Sequence, residues 1–406
     1  MERVAQSIGV VVCKMEKTTD KGEQMTLPKG YKRTEIGILP SDWEVVRLGE
    51  VCEIKKRKFD PKKNETIPCV ELEHISQDTG MLLGFVDSGE QLSIKNSFSK
   101  GDVLYGKLRP YLRKFWRASF NGVCSSEIWV LEGKKVSNAF LFFLVQTARF
   151  SQIANATCGT KMPRADWKLM QDQNFAIPPL AEQEKIARVL STWDTQIQNL
   201  ESLIAEKQTL KKGLCQILLS AKTRLAGFDE PWRVVRLGDV AEIYQPQTIK
   251  QTDFSTEGYL VYGANGIIGK YHLFNHEKEQ IAIACRGNTC GSVHLTKPYS
   301  WITGNAMVIN LDDSKRLNKV YAYQRLSMDN FDYLITGSGQ PQITSDIKNH
   351  KIPIPSIAEQ EKIAEILSEA DNEITLLEQK LESLKSQKKG LMQKLLNGKV
   401  RTTQCI

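Results

Sequence analysis

The feature that most constrains the fold of this chain is an internal repeat of two sequence frames. Residues Trp43–Ile54 read WEVVRLGEVCEI and residues Trp232–Ile243 read WRVVRLGDVAEI, with nine of twelve positions identical at an offset of 189. Residues Ala181–Leu190 read AEQEKIARVL and residues Ala358–Leu367 read AEQEKIAEIL, with eight of ten identical at an offset of 177. This period is far longer than the roughly 20–50 residues of solenoid repeats. The frames therefore predict a duplicated domain that carries two unlike inserts of unequal length.

The composition sets limits on the class of protein. A length of 406 residues leaves room for two to three domains, and 41% hydrophobic with 25% charged residues is typical of a globular chain. The net charge of +8 permits a polyanionic partner. Nine irregularly spaced cysteines favour reduced thiols over a disulfide framework. The apolar runs Ile8–Cys13 and Ala139–Val145 are too short for a signal peptide or a membrane span, so we expect a cytoplasmic protein without a membrane partner.

Turn residues and prolines divide the sequence into segments. In the first half, short β-rich runs at Val45–Leu48, Asp102–Tyr105 and Cys124–Leu131 alternate with Gly, Asn and Pro, and Asn138–Phe150 has a helical pattern. Prolines then precede two long stretches rich in Glu, Gln, Lys and Leu, as is typical of helix starts. The predicted segments are a leader at 1–28, globular domains at 29–176 and 223–352, and long helices at 177–222 and 353–400. The predicted fold class is α+β.

Both long helices carry an apolar seam with alternating spacings of three and four, which is the heptad pattern of a coiled coil. In the second helix the seam residues are Ile374, Leu377, Leu381, Leu384, Lys388, Leu391 and Leu395. In the first helix they are Ile197, Leu200, Ile204, Lys207, Lys211, Leu214 and Leu218. A helix of about 40 residues is roughly 60 Å long. Antiparallel pairing within the chain is the interpretation we favour, while ordinary domain helices or a dimerisation seam remain alternatives.

A basic and aromatic segment is the main candidate for contact with a polyanion. Residues Tyr105–Cys124 contain no acidic residue and interleave bases with Tyr111, Phe115, Trp116 and Phe120. The basic residues are Lys107, Arg109, Arg113, Lys114 and Arg117. Such residues neutralise DNA phosphates, and arginine pairs with guanine edges. A β-hairpin with an aromatic core and a solvated basic face is the alternative.

Further candidates lie in short loops of both halves. In the second half, Arg286 and Asn288 flank Gly287, which permits close backbone approach, and Gln340 and Gln342 have the amide that fits an adenine edge. Lys161 and Arg164 occupy the matching loop of the first half. A plain loop role is an equal alternative for each of the last four.

Three apparent enzyme motifs do not meet their chemical requirements. Residues 264–271 lack the first glycine and the closing Ser/Thr of a phosphate-binding loop. His272, His276, Cys285 and Cys290 have no usual zinc spacing. Pro178-Pro179 lies between Ile177 and Leu180, so it does not match the Asn/Asp-Pro-Pro-aromatic motif of adenine methyltransferases. We therefore expect no catalytic residue, no metal and no cofactor on this chain.

The order of these motifs resembles the DNA-specificity (S) subunit of type I restriction-modification systems. The resemblance rests on Leu39–Val51 (LPSDWEVVRLGEV), on Ile177–Gln183 (IPPLAEQ), on Gly101–Pro110 (GDVLYGKLRP) and on the paired loops Gly159–Arg164 and Gly337–Gln342. It covers about residues 30 to 400. The 28-residue leader and the second helix entry, Ile354-Pro355-Ser356-Ile357, depart from the pattern.

The resemblance implies a division of labour between subunits. Each globular domain becomes a target-recognition domain that reads one half of a split double-stranded DNA target, and the paired helices fix the spacer. The helices also dock two modification (methyltransferase) subunits, which restriction and translocation subunits join. S-adenosylmethionine, ATP and Mg²⁺ are expected on those partners. The alternative is a coiled-coil assembly scaffold without DNA readout.

Overall fold

The computed structural model describes residues 27–156, 162–337 and 339–402, so most of the predicted leader lies outside the described residues. The chain divides into two compact units. The first unit comprises Met1–Asn199 with Leu381–Ile406, and the second comprises Leu200–Lys380. Because the boundaries fall inside the two long helices, each of these helices contributes residues to both units.

The first unit is a mixed α/β fold. Its strands are β1 (Tyr31–Thr34), β2 (Gly37–Pro40), β3 (Glu44–Arg47), β4 (Cys52–Ile54), β5 (Lys58–Phe59), β6 (Pro68–Val70), β7 (Val86–Asp87), β8 (Lys95–Phe98), β9 (Val103–Gly106), β10 (Phe115–Arg117), β11 (Gly122–Cys124), β12 (Ile128–Gly133) and β13 (Asn174–Ile177). Its helices are α1 (Leu48–Val51), α2 (Asn138–Leu144), α3 (Ala148–Asn155), α4 (Trp167–Gln171) and the start of α5 (Leu180–Leu218).

Two larger sheets organise the first unit. One has the strand order β10-β9-β12-β4 and the other the order β5-β8-β11-β6-β7. The first sheet is antiparallel throughout, whereas β11 runs parallel to β6. Helix α2 packs on this framework, and its Phe140 joins Trp43, Phe150 and Phe175 in a buried core. The aromatic core keeps the loops after β9 and before α4 on a rigid support.

The second unit repeats this plan with fewer strands. Its strands are β14 (Arg233–Arg236), β15 (Glu242–Tyr244), β16 (Tyr259–Gly263), β17 (Gly266–Tyr271), β18 (Ile281–Ala284), β19 (Val293–Leu295), β20 (Trp301–Ile302), β21 (Ala306–Asn310), β22 (Ile335–Thr336), β23 (Gln342–Ile343) and β24 (Lys351–Ile354). Its helices are the end of α5, α6 (Lys319–Leu326) and the start of α7 (Ile357–Leu396).

The sheet order β15-β21-β18-β19 of the second unit corresponds strand for strand to β4-β12-β9-β10 of the first. The smaller sheet, β17-β16-β20, contains a parallel pair, β16 and β20, like the pair β6 and β11 of the first unit. One further strand joins this pair in the second unit, whereas three further strands join it in the first. Equivalent positions are offset by 189 up to β4, by 178 in β9, β10 and β12, and by 177 from β13 onward. Nearly all of the length difference between the copies therefore lies in residues 55–102 and their counterpart, 244–280.

The repeated tryptophan frame closes each unit. Strand β3 from this frame pairs with β13, the strand that leads into α5, and β14 pairs with β24, which leads into α7. Each pairing joins the first part of a unit to its last strand. The frame is the same in both copies because both must form this closing ladder.

The repeated AEQ motif serves as an anchor at the start of each long helix. Gln183 donates to the carbonyl of Pro178 at 2.9 Å and accepts from the backbone N–H of Ser137, the N-cap of α2, at 2.9 Å. Gln360 makes the equivalent bonds to Pro355 and to Asn318, the N-cap of α6. Both glutamines are buried, so the motif ties helix start and domain helix together in each unit.

The glutamate of the same motif holds an arginine that follows the other long helix. In the first unit, Arg401 donates from Nε and Nη2 to the two carboxylate oxygens of Glu182, both at 2.8 Å. In the second unit, Arg224 makes the same two-pronged contact with Glu359 at 2.9 and 2.7 Å. Arg401, which follows α7, therefore makes the same contact in the first unit as Arg224, which follows α5, makes in the second.

Within each unit the two long helices pack antiparallel along the predicted seam. The buried seam residues are Leu200, Ile204, Leu218, Ile374 and Leu395, and the half-buried ones are Ile197, Lys207, Lys211, Leu214, Leu377, Leu381, Leu384, Lys388 and Leu391. The seam lysines have acidic partners. Lys211 contacts Asp371 at 2.5 Å in the second unit, and Lys388 pairs with Asp194 in the first at the equivalent positions.

The secondary structure differs from the sequence pattern in two places. Residues Asn138–Phe150, predicted as one helix, form α2 and the start of α3, because Ser137 and Thr147 each cap a new helix by accepting a backbone N–H. Residues Cys124–Leu131, predicted as one run, contain the end of β11 and the start of β12 around a turn. Both differences arise where a capping or turn residue interrupts an otherwise apolar run.

Candidate nucleic-acid interface

A turn and a loop are joined at one edge of the first unit. The turn follows β9 and the loop precedes α4. The backbone N–H of Arg109 donates to the carbonyl of Pro163 at 2.7 Å, and Ala165 N–H donates to Lys107 at 2.8 Å. Leu108 and Arg164 face each other as an antiparallel bridge between these bonds. No sequence pattern predicted a pairing of these segments, which are more than 50 residues apart.

The second unit contains the same turn and loop. Gly287 N–H donates to the carbonyl of Pro341 at 3.0 Å, and Ile343 N–H donates to Cys285 at 3.0 Å. Arg286 and Gln342 form the antiparallel bridge. Each of these positions is offset by 178 from its counterpart in the first unit. The two units therefore present different side chains on one backbone arrangement.

The turn requires left-handed backbone in both units. Gly287 has a φ of 82°, which glycine adopts at little cost, whereas Arg109 takes the same place with a φ of 51°. A second arginine, Arg113, closes the short turn after Pro110 with a φ of 49°. Left-handed backbone in a residue with a Cβ stores strain, and such strain tends to occur at functional sites.

The side chains of the basic segment fall into two groups. Arg109 and Arg117 are exposed. Arg113 instead donates to Asp78 at 2.7 Å and to the carbonyl of Gln146 at 2.9 Å, and Lys114 donates to a backbone carbonyl of Leu72 at 2.6 Å. The aromatic residues Phe115 and Trp116 are buried in the core.

Through these hydrogen bonds, Arg113 and Lys114 hold the basic segment against the rest of the first unit. The alternative of a β-hairpin with an aromatic core therefore applies to Phe115 and Trp116, which are buried. Arg109 and Arg117 keep their N–H donors on the surface.

Glu127, which the sequence analysis did not single out, contacts the two other basic residues of the turn and loop, Arg164 and Lys107. Glu127 accepts from Arg164 Nε at 3.0 Å and from Arg164 Nη2 at 3.2 Å, and Lys107 Nζ lies 4.0 Å from the same carboxylate. The hydrogen bond to Glu127 raises the pKa of Arg164. Lys161, the other predicted base of this loop, lies outside the described residues.

The predicted residues of the second unit are all on the surface. Arg286, Asn288, Gln340 and Gln342 are exposed. Arg286 and Gln342 also line an open groove of roughly 340 Å³. The groove is further lined by Ile243, Tyr244, Gln245, Met307, Ile343, Thr344, Ser345 and Lys348. Several of these side chains can form hydrogen bonds, and Arg286 and Lys348 are basic, so the groove suits a ligand with polar groups.

Two of the four residues considered for zinc are held in other surroundings. His276 Nε2 lies 2.8 Å from the hydroxyl of Tyr244, and burial lowers the pKa of this histidine. Cys285 is buried, and desolvation raises its thiol pKa. Among the described residues, no group of three or more His, Cys, Asp or Glu side chains is placed to hold a metal ion. No helix in the described part of the chain is long and apolar enough to cross a membrane.

The family model described as "Type I restriction modification DNA specificity domain" matches the chain twice, at residues 40–207 and 229–386. The chain belongs to this family. It is 24% identical to the MjaVIII type I specificity subunit of Methanocaldococcus jannaschii, over 89% of this chain and 94% of the relative. It is 29% identical to the EcoDI specificity subunit of Escherichia coli over 45% of this chain and 40% of that protein.

A solved structure shares the fold. The type I restriction-modification S subunit from M. genitalium is 17% identical, aligns over 92% of this chain and 98% of that one, and gives a TM-score of 0.63. The predicted fold class is confirmed: two mixed α/β target-recognition domains, long antiparallel helices and an internal repeat. The resemblance to specificity subunits is confirmed with it, and the two matched copies fit DNA target recognition.

Proposed function

We propose that this chain is the subunit of a type I restriction-modification complex that reads a two-part double-stranded DNA target, one half with each unit. The observation that carries the proposal is the turn and loop found in both specificity domains with unlike side chains. Arg109, Arg164 and Lys107 occupy it in the first unit, and Gln342 and Arg286 in the second. Arginine and glutamine are the side chains that pair with guanine and adenine edges.

The long helices have the length and pairing to set the spacer between the half-sites. Each helix spans 39 or 40 residues, which is about 60 Å. Their exposed faces are rich in Glu, Gln and Lys, which suits contact with hydrophilic partner subunits. We assign them the docking of two modification subunits, to which restriction and translocation subunits add.

In this scheme the chain carries out no chemistry. S-adenosylmethionine, ATP and Mg²⁺ belong to the modification and restriction subunits, and the specificity subunit supplies recognition and geometry alone. The assembled complex acts on DNA in the cytoplasm.

The decisive experiment is coexpression of the chain with its modification subunit in a host without other adenine methylation. Methylated adenines are then mapped across the genome. The proposal predicts one new split motif, with two short defined parts around a fixed unspecified gap. A stable complex that methylates nothing would contradict it and favour an assembly scaffold.

A substitution in the first unit tests the interface at the level of one residue. Arg109→Gly places at φ 51° the residue type that the second unit already uses in this turn, so the fold should be kept and the turn strain relieved. We expect DNA affinity to fall while the free energy of unfolding stays within about 1 kcal/mol of the parent. If Arg109 contacts a phosphate, the dependence of log affinity on log salt should also weaken by about one unit. Unchanged affinity at physiological salt would exclude Arg109 from the interface.

A further inference from the structure

The pair Glu127–Arg164 has a geometry that goes beyond a surface ion pair. Glu127 engages Arg164 through Nε and Nη2, which is the side edge of the guanidinium. A guanidinium has five N–H donors in a rigid plane. Two are used by Glu127. Among the contacts between described residues the end edge, with one N–H on each terminal nitrogen, has no partner and can act as a two-pronged fork. The Arg164 side chain is 46% exposed, so this fork is accessible.

The backbone holds both partners in place. Glu127 precedes β12 and its carbonyl accepts the N–H of Lys107 at 2.9 Å, while Arg164 is bridged to Leu108 on the other side of the same turn. The backbone bridge therefore fixes the position of Arg164, and the carboxylate of Glu127 fixes the orientation of its guanidinium. Fixing a long side chain in advance removes part of the entropy cost of binding.

The charge balance favours a base over a phosphate as the ligand. Glu127 contacts Arg164 directly and offsets its charge, while Lys107 lies further away, with its Nζ 4.0 Å from the same carboxylate. A half-buried carboxylate beside the fork weakens attraction for a phosphate, which depends on net positive charge. The directional donors stay intact. An oriented pair of N–H groups matches the two acceptors, O6 and N7, that guanine presents in the major groove.

The second unit supports the assignment by contrast. Its equivalent positions carry Gln342 in place of Arg164 and Asn305 in place of Glu127, and the carbonyl of Asn305 accepts the N–H of Cys285 at 3.0 Å as that of Glu127 does for Lys107. The backbone frame is the same while the side chains change together from an ion pair to two amides. Paired change on a constant frame is expected where residues set a preference rather than the fold.

We propose that Arg164 reads a guanine in the half-site bound by the first unit and that Glu127 is the positioning residue that orients its fork. This inference rests on the proposed function. It names a specificity-determining pair in the first unit, and it limits the effect of that pair to one base pair of the target.

The test uses the complete complex and the split motif mapped for the parent. Methylation rates are measured on a set of duplexes that carry each single base-pair change in both halves. Arg164→Ala should reduce the preference for one G·C pair by roughly 5- to 150-fold, the range for loss of one bidentate base contact. Glu127→Gln should reduce the preference at the same base pair by a smaller factor, because one oriented contact can remain. The other half should be read as before.

Glu53→Gln is the matched control. Glu53 forms an ion pair with Lys134 at 2.9 Å in the same unit, but it is more exposed than Glu127 and lies outside the turn and loop. This variant should leave every base preference unchanged. A structural role for Glu127 would slow methylation of all duplexes together.

Two results would overturn the inference. One is an equal loss on all duplexes in Arg164→Ala with a salt dependence weaker by about one unit, which indicates a phosphate contact. The other is a Glu127→Gln effect at a different base pair from that of Arg164→Ala. If the parent complex shows no split motif, the proposed function itself fails, and that result is separate from either of these.

Discussion

Replacement of Arg401 by Met should destabilise the first unit more than its position near the end of the chain leads one to expect. The Arg401 side chain is only 18% exposed, and it donates to both oxygens of Glu182 and to Asp42 at 2.6 Å. Trp43 Nε1 donates to the same Glu182 carboxylate at 2.9 Å. Without Arg401, a carboxylate that is 9% exposed retains one indole N–H as its described side-chain partner.

The magnitude follows from this burial. Removal of one partner from a buried ion pair costs about 3–5 kcal/mol. Arg401 is partly accessible, and water can reach the vacated space, so we expect a loss of about 2–4 kcal/mol. For a unit of this size each kcal/mol lowers Tm by about 2–4 °C, so a loss near 3 kcal/mol corresponds to a Tm lower by about 6–12 °C.

Urea unfolding followed by tryptophan fluorescence measures the loss, and hydrogen exchange locates it in the first unit. Lys399→Met, two residues away and exposed, is the control and should cost less than about 0.5 kcal/mol. Adding Glu182→Gln to Arg401→Met should recover part of the stability, because the buried charge is gone while Trp43 keeps an acceptor. A loss below about 1 kcal/mol for Arg401→Met, or no recovery in the double variant, would refute this reasoning.

Three further predictions concern charge and burial. Lys211→Glu places a second carboxylate against Asp371 in the helix seam and should cost about 1 kcal/mol or more, and adding Asp371→Lys should restore much of it; urea unfolding checks both. Burial acts to raise the pKa of Asp42, but Arg401 outweighs it and the pKa lies below the ordinary 3.8. The contribution of Asp42 is therefore present above pH about 4 and lost as pH falls through the lower folded pKa, so the stability gap between the parent and Asp42→Asn should close toward pH 2. Burial, followed by the charge of Glu71, raises the pKa of Cys69 to about 12, so iodoacetamide at pH 8 should label this thiol only after unfolding, as peptide mass mapping will show.

The long helices were the part of the fold most readable from the sequence. A stretch without internal proline and with a three-four apolar spacing has few other solutions, and helices are found at Leu180–Leu218 and Ile357–Leu396. Seam positions occupied by lysine weakened the pattern. Their role depends on Asp194 and Asp371, which lie on the facing helix and not near the lysines in sequence.

The candidate interface was readable only in part. The sequence marked the turn at Arg109 and the loop at Arg164 as separate candidates, and the structure shows that they are hydrogen-bonded to each other. It gave no sign that Arg113 is held by Asp78 or that Glu127 holds Arg164. Side-chain pairing across 35 or more residues depends on strand register, which the pattern of a single sequence does not determine. One signal was present in the sequence. At the offset of 178, Glu127 and Arg164 align with Asn305 and Gln342, so both members of the pair differ between the copies.

The repeat explains how one fold can serve two different recognition tasks. The residues that are identical between the copies form the closing ladder and the helix anchor, with Glu182 and Glu359 holding their arginines in the same way. The residues that differ lie in the turn and loop, where the contacts that set the shape are made by backbone N–H and C=O groups. Backbone hydrogen bonds do not depend on the side chains around them, so Arg164 can become Gln342 without changing the frame. Recognition can therefore diverge between the units at little cost to folding. The left-handed Arg109 and Arg113 sustain a backbone strain that glycine avoids at the equivalent positions of the second unit, Gly287 and Gly291.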